Sequence, residues 1–142
     1  MMKNMKITVL AALVAIFAVN CSADPVTTPT STASSEGSVA APVVITRGTA
    51  HNGTISGFAE SYYSLAVTVG TPVTCTVTNM TFDVDLDIYE NANFVSNWAA
   101  NSWQSGLTPE TATWTPTVST AYVMVSAFGN GSTNPTYTVT CN

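Results

Sequence analysis

Residues Tyr62 to Asn79 read YYSLAVTVGTPVTCTVTN. Up to Val69 the stretch alternates: Tyr63, Leu65, Val67 and Val69 fall on one face of an extended chain, and Tyr62, Ser64, Ala66 and Thr68 on the other. Gly70-Thr71-Pro72 then makes a turn, after which Val73, Cys75 and Val77 alternate with Thr74, Thr76 and Thr78. Two half-buried strands joined by a reversal account for this pattern, with the first set of each facing a core. Cys75 therefore points inward.

The same pattern extends in both directions. Strands are expected near Val43 to Thr46, Thr54 to Phe58, Asp83 to Glu90, Thr111 to Thr115, Ala121 to Phe128 and Thr136 to Cys141, all rich in Val, Ile, Thr and Tyr. Asn52-Gly53 and Asn130-Gly131 are read as turns, because these dipeptides readily supply positive φ. In the last strand Tyr137, Val139 and Cys141 share the inward parity. Between Ala121 and Phe128 parity is ambiguous, since Val123 and Val125 compete with Tyr122 and Met124 for the inward face. Trp114 is read as core. No segment carries a 3.6-residue period. The fold expected for residues 43–142 is all-β, a single antiparallel sandwich or jelly roll of about seven to eight strands.

Composition narrows the function classes. Hydrophobic residues make up 46% of the chain and charged residues 8%, the reverse of a disordered chain's balance. Of the three Lys and Arg residues, Lys3 and Lys6 sit at the extreme N-terminus, which leaves Arg47 alone in the body of the chain against eight Asp and Glu. Nucleic-acid binding, which needs several cations against phosphates, is excluded.

Residues 1–20 read as a signal peptide. Lys3 and Lys6 precede an apolar run from Ile7 to Val19, shorter than the roughly 20 apolar residues a spanning helix requires. Ala18-Val19-Asn20-Cys21 resembles the lipobox of bacterial lipoproteins, in which the cysteine thiol is lipidated and the chain is cut just before it. The competing reading is ordinary cleavage after Ala23, because Cys21 and Ala23 are small residues at the positions that signal peptidase I inspects. Both export the protein, to the bacterial cell envelope as a membrane-anchored lipoprotein or as a secreted chain. Residues 21–42 then comprise the lipid-attachment cysteine and a disordered Ser/Thr/Pro linker. Either cleavage removes Cys21 from the pairing count and leaves Cys75 and Cys141, read as one disulfide, with two buried free thiols as the alternative. In the chain-entropy picture a closure of this length contributes about 4 kcal/mol.

The order of features from Arg47 to Cys141 resembles the bacterial pre-peptidase C-terminal domain: Gly53-Thr54-Ile55-Ser56-Gly57, Tyr62 to Val67, Gly70-Thr71-Pro72-Val73, Asp83-Val84-Asp85-Leu86-Asp87-Ile88-Tyr89 and Ala121 to Val125. The resemblance implies a β-sandwich jelly roll that aids secretion, localisation or substrate binding. Cys75 and Cys141 are not part of the usual pattern, and the segment after Glu90 is long. No peptidase domain precedes the sandwich here, which leads us to expect display at a surface.

Two clusters carry candidate chemistry. Asp83, Asp85 and Asp87 share one strand face; they form either a solvated face or a weak calcium site that relieves their mutual repulsion. The EF-hand pattern is absent, because Ile88 and Phe94 stand where Gly and Glu are required. The stretch from Asn91 to Glu110 interleaves Phe94, Trp98 and Trp103 with Asn101, Gln104 and further amides, a composition suited to stacking on sugar rings and pairing with hydroxyls. The alternative is that the tryptophans fold back and cap one end of the sandwich. His51 is the single histidine and no hydrolase motif is present, so no enzyme is expected and no cofactor beyond the calcium alternative. The sequence points to a non-enzymatic exported binding or adhesion module, its partners being the membrane through the lipid anchor and a carbohydrate or surface matrix protein. The alternative is a structural or secretion and assembly accessory without a small ligand.

The intact mass of the mature protein checks the N-terminal reading. A chain beginning at a lipidated Cys21, with two hydrogens missing for one disulfide, is the expected result; a chain beginning at Asp24 without lipid would select the other cleavage.

Overall fold

The computed structural model describes residues 35–57, 59–95, 97–129 and 134–142. The stretch read as a signal peptide at 1–20, Cys21, most of the stretch read as a linker and the turn expected at Asn130-Gly131 lie outside the described residues. Among those described there is no helix. Nine strands form the domain: β1 (Val43–Ile45), β2 (His51–Thr54), β3 (Glu60–Ala66), β4 (Val73–Thr78), β5 (Val84–Tyr89), β6 (Ala100–Ser102), β7 (Glu110–Trp114), β8 (Thr120–Ala127) and β9 (Thr136–Cys141). They make a five-stranded sheet, β1-β3-β8-β5-β6, and a four-stranded sheet, β2-β9-β4-β7. The expected all-β sandwich is therefore the fold, with β6 as a strand the sequence pattern did not announce and with β2 at His51–Thr54 where a strand was expected from Thr54 onward. All pairings are antiparallel except β1 with β3, which is parallel.

Alternation explains the core. Tyr63 and Leu65 of β3, Val84, Leu86 and Ile88 of β5, and Ala121, Val123 and Val125 of β8 are buried, which resolves the parity of β8 in favour of the valines. From the other sheet Val73, Cys75 and Val77, Ala112 and Trp114, and Tyr137, Val139 and Cys141 meet them. Branched aliphatic side chains dominate, as a pleated surface buried on one side favours. Val69 is a correction: β3 ends at Ala66, and Val69 lies exposed beyond it.

Asn52-Gly53 is also corrected. It does not turn the chain but lies within β2, where Gly53 pairs with Tyr137 of β9. The reason is steric. A Cβ at Gly53 would lie 2.5 Å from both Tyr137 Cζ and the Tyr63 hydroxyl. Those two hydroxyls bridge the sheets at 2.6 Å inside the core, and burial pushes the Tyr137 phenol up to about 12.

Cys75 and Cys141 form the disulfide. Both face inward, as parity required, but the bridge joins register partners on adjacent strands β4 and β9 of one sheet and does not cross between layers. Thr74 and Asn142 exchange both backbone hydrogen bonds beside it, at 3.0 and 2.8 Å. That places Cys75 and Cys141 at the next, non-hydrogen-bonded position, where side chains of an antiparallel pair approach most closely.

Hydrogen bonds to the sandwich are made upstream of the boundary expected at 42. Ser35 Oγ accepts from Ser56 N, Glu36 N donates to the buried Ser61 Oγ, and Tyr62 N donates to Glu36 O at 2.7 Å. Ser35 and Glu36 thus supply hydrogen-bond partners to Ser56 and to the start of β3, which composition alone did not indicate.

Replacing both cysteines by alanine is expected to lower the unfolding free energy by about 2 to 4 kcal/mol, read as a reduced thermal midpoint. A midpoint unchanged within about 2 °C would contradict a constraining role for the bridge.

Candidate functional site

The inward side chains of β5 and β8 leave a second set on the outer face of the five-stranded sheet, and register arranges that set in rows. Across β3, β8, β5 and β6 one row runs Glu60, Ser126, Asp85; the next Tyr62, Met124, Asp87, Asn101; and the next Ser64, Tyr122, Tyr89. A bare face of this kind would be open to solvent. It is instead covered in part by the segment between β5 and β7.

Phe94 is the plug of that cover. Its ring meets Tyr62, Tyr89 and Tyr122 edge to face, at centroid distances of 4.8, 5.7 and 5.5 Å. Each such pair adds about 0.5 to 1.5 kcal/mol beyond the area it buries. The contacts matter because Phe94 holds a φ of 52°, a left-handed backbone that a bulky residue adopts only when its surroundings impose it. With 7% of its surface exposed, Phe94 has no free face to offer a ligand.

The two tryptophans of this segment are anchored by their nitrogens and open at their rings. Trp98 Nε1 donates to Tyr89 Oη at 3.0 Å, and Trp103 Nε1 donates to Asp87 Oδ1 at 3.0 Å. The rings meet each other at 5.1 Å, nearly perpendicular at 86°. About half of each remains exposed, 50% for Trp98 and 51% for Trp103. They cover the face of a sheet, and not an end of the sandwich.

At the Asp83 end of this face a cavity of about 150 Å³ is lined by Asp83, Asp85, Trp103, Gln104, Ser105 and Phe128. Phe128 projects from the end of β8 and is held in place by its N–H, which donates to Asp83 O at 3.0 Å. Behind the Gln104 wall lies Glu110, fully buried at the start of β7; its Oε1 accepts from Gln104 N at 2.7 Å. Glu110 Oε2 and Asp83 Oδ1 are buried without a hydrogen-bond partner among the described residues. Burial, reinforced by Asp83, Glu110 and Asp87, pushes the Asp85 carboxyl up to about 6. Burial also raises Asp87, opposed by the hydrogen bond from Trp103. The one Lys or Arg among the described residues, Arg47, follows β1 at the far end of the sheet, since Ile45 pairs with Leu65 whereas Asp85 is in the row of Glu60.

Asp83, Asp85 and Asp87 thus share a face as expected, but they do not form a solvated row: Asp87 is 5% exposed and committed to Trp103. Among the described residues no three His, Cys, Asp or Glu side chains come together to hold a metal ion. Of the residues expected to bind a ligand, Trp103 and Gln104 line the cavity, Trp98 and Asn101 flank it on the same face, and Phe94 supports the cover. Ser105, Phe128 and Glu110 were missed. Glu110 shares the parity of Ala112 and Trp114, a signal that was present in the sequence.

No protein-family model matches the sequence, and no curated protein matches it. Among solved structures, the pre-peptidase C-terminal domain of a collagenase from Bacillus anthracis is similar, with a TM-score of 0.59 and 19% identity over 71% of this chain and 94% of that one. The periplasmic inhibitor of g-type lysozyme from Aeromonas hydrophila aligns over 72% of this chain and 100% of its own, with a TM-score of 0.42 and 11% identity. The first likeness establishes a fold like that of the pre-peptidase C-terminal domain.

Because folding raises the Asp85 pKa, the folded chain holds that proton more tightly than the unfolded chain does. The stabilisation is full below the ordinary value of 3.8 and is lost as pH rises through about 6. Asp85→Asn is therefore expected to raise the thermal midpoint at pH 7.5 by a few degrees and to flatten its fall between pH 5 and pH 7.5. A variant less stable than the parent at pH 7.5 would contradict this.

Proposed function

We propose that this chain is a non-catalytic binding and adhesion module, exported to the bacterial cell envelope and tethered there through lipid at Cys21, that engages its partner through the outer face of the five-stranded sheet. The observation that carries the reading is the cavity walled by half-exposed Trp103 and by Asp83, Asp85 and Gln104. Concave sites that combine aromatic walls with a few convergent polar groups are the usual form of a binding site. The Ser/Thr/Pro composition of the linker suits a spacer that holds such a face away from a membrane.

The arrangement of acids supports a role without catalysis. Asp83 and Asp85 are next-but-one neighbours on a single strand face, whereas a glycosidase pair flanks the bond it cleaves. His51 lies in β2 of the other sheet, its ring against Tyr63 at 5.3 Å and its Nε2 3.9 Å from Glu36. It therefore has no access to the Asp83 cavity as a base. Three of the four sheet edges are short, which weighs against the accessory alternative in which partners add to exposed strands: β1 and β6 have three residues each and β2 has four, against five in β7.

Screening the full chain against glycan and matrix-protein panels tests the proposal. Trp103→Ala is expected to weaken the binding found by at least about tenfold, and Trp98→Ala by less, because Trp103 alone lines the cavity. Binding that survives both changes, or no binding on either panel, would overturn it.

A further inference from the structure

We propose that the cavity at the Asp83 end of the outer face seats a lysine ammonium or arginine guanidinium group from a basic segment of the partner protein. This rests on the reading of the outer face as a binding surface and specifies what that surface selects. Size is the first argument. Clefts for whole small molecules span about 300 to 1,000 Å³, and this one, at about 150 Å³, fits a side-chain head and its stem.

The polar groups point to a donor-rich cation. Asp83 and Asp85 supply acceptors on one wall, Gln104 and Ser105 are the polar groups on the other, and no Lys or Arg among the described residues reaches either carboxylate. Asp83 Oδ1 has no partner, and behind the wall the fully buried Glu110 keeps Oε2 without one. A sugar hydroxyl brings one donor and two acceptor lone pairs and would meet surplus acceptors here. An ammonium or guanidinium brings donors alone, and charge-assisted bonds to carboxylates are about twice as strong as neutral ones.

The aromatic walls agree. Trp103 and Phe128, which are 51% and 64% exposed, both line this cavity, and the face of an aromatic ring attracts a cation through its quadrupole. Trp98 and Trp103 stand at 86°, so they offer no flat platform for successive sugar rings. The acidic residues on this face, Glu60, Asp83, Asp85 and Asp87, also extend the field that would steer a basic segment toward it.

The test is titration of the full ¹⁵N-labelled chain with Nα-acetyl-lysine N-methylamide and its arginine counterpart, with the norleucine analogue as the neutral match, followed at the Trp103 indole and Gln104 side-chain signals. Saturable shifts with both cations, at least tenfold weaker for norleucine, are expected. So are a tenfold or greater loss in the double variant Asp83→Asn and Asp85→Asn, and weakening as pH falls below 6. The Asn variants keep side-chain volume and relieve repulsion, so their thermal melts should match or exceed the parent. Equal response to norleucine, no response to either cation, or full binding by the folded double variant would overturn the proposal. Titration of the same samples with neutral oligosaccharides separates the two levels: Trp103-dependent sugar binding without a cation response overturns the cation and leaves the binding face standing. Loss of every Trp103-dependent response overturns both.

Discussion

The hydrogen bond from Trp103 Nε1 to Asp87 Oδ1 ties a long connection to the face of a sheet, and the candidate site depends on it. Asp87 sits in the middle of the outer face, where covering a carboxylate without a partner would be costly. The indole supplies a donor and at the same time becomes the wall of the cavity beside Asp85. Trp98 repeats the arrangement one row away through Tyr89, and Phe94 fills the space between with its ring. Three side chains from one connection thus satisfy, cover and shape a face that alternation alone would leave wet.

The division of labour between the sheets follows from this. The disulfide and the cross-core tyrosine pair stabilise the β9 side of the sandwich, where Gly53 makes room for two phenols. The other sheet carries the acids and the aromatic cover. A site of mutually repelling carboxylates is destabilising where it stands, and a rigid scaffold elsewhere is what allows it to persist. The likeness to the collagenase domain at 19% identity concerns the scaffold. A fold of this kind does not by itself specify a function, and the candidate site here is walled by Trp103, Gln104 and Ser105 of the connection before β7.

Period-two patterning made much of the scaffold legible. The parity of Tyr63, Leu65, Val73, Cys75, Val77, Tyr137 and Val139 was readable because one face of each strand is buried and the other is not. Asn52-Gly53 was misread because its glycine answers to a steric demand from Tyr63 and Tyr137, residues distant in sequence, and not to a turn. Strand β6 is too short for alternation to register and exists because Asn101 and its neighbours pair with β5. The aromatic composition of the site segment was visible, but where it lands was not: that is set by hydrogen bonds to Asp87 and Tyr89, which no local pattern encodes.

The exchange rate of the Trp103 indole N–H with solvent tests the central claim most directly. If Asp87 holds that proton, exchange in the folded chain is slower than in a free indole by at least about tenfold and returns to the free rate in Asp87→Ala. Exchange at the free rate in the unaltered chain would mean that the segment is not fixed to the sheet, and that the cavity beside Asp85 has no wall.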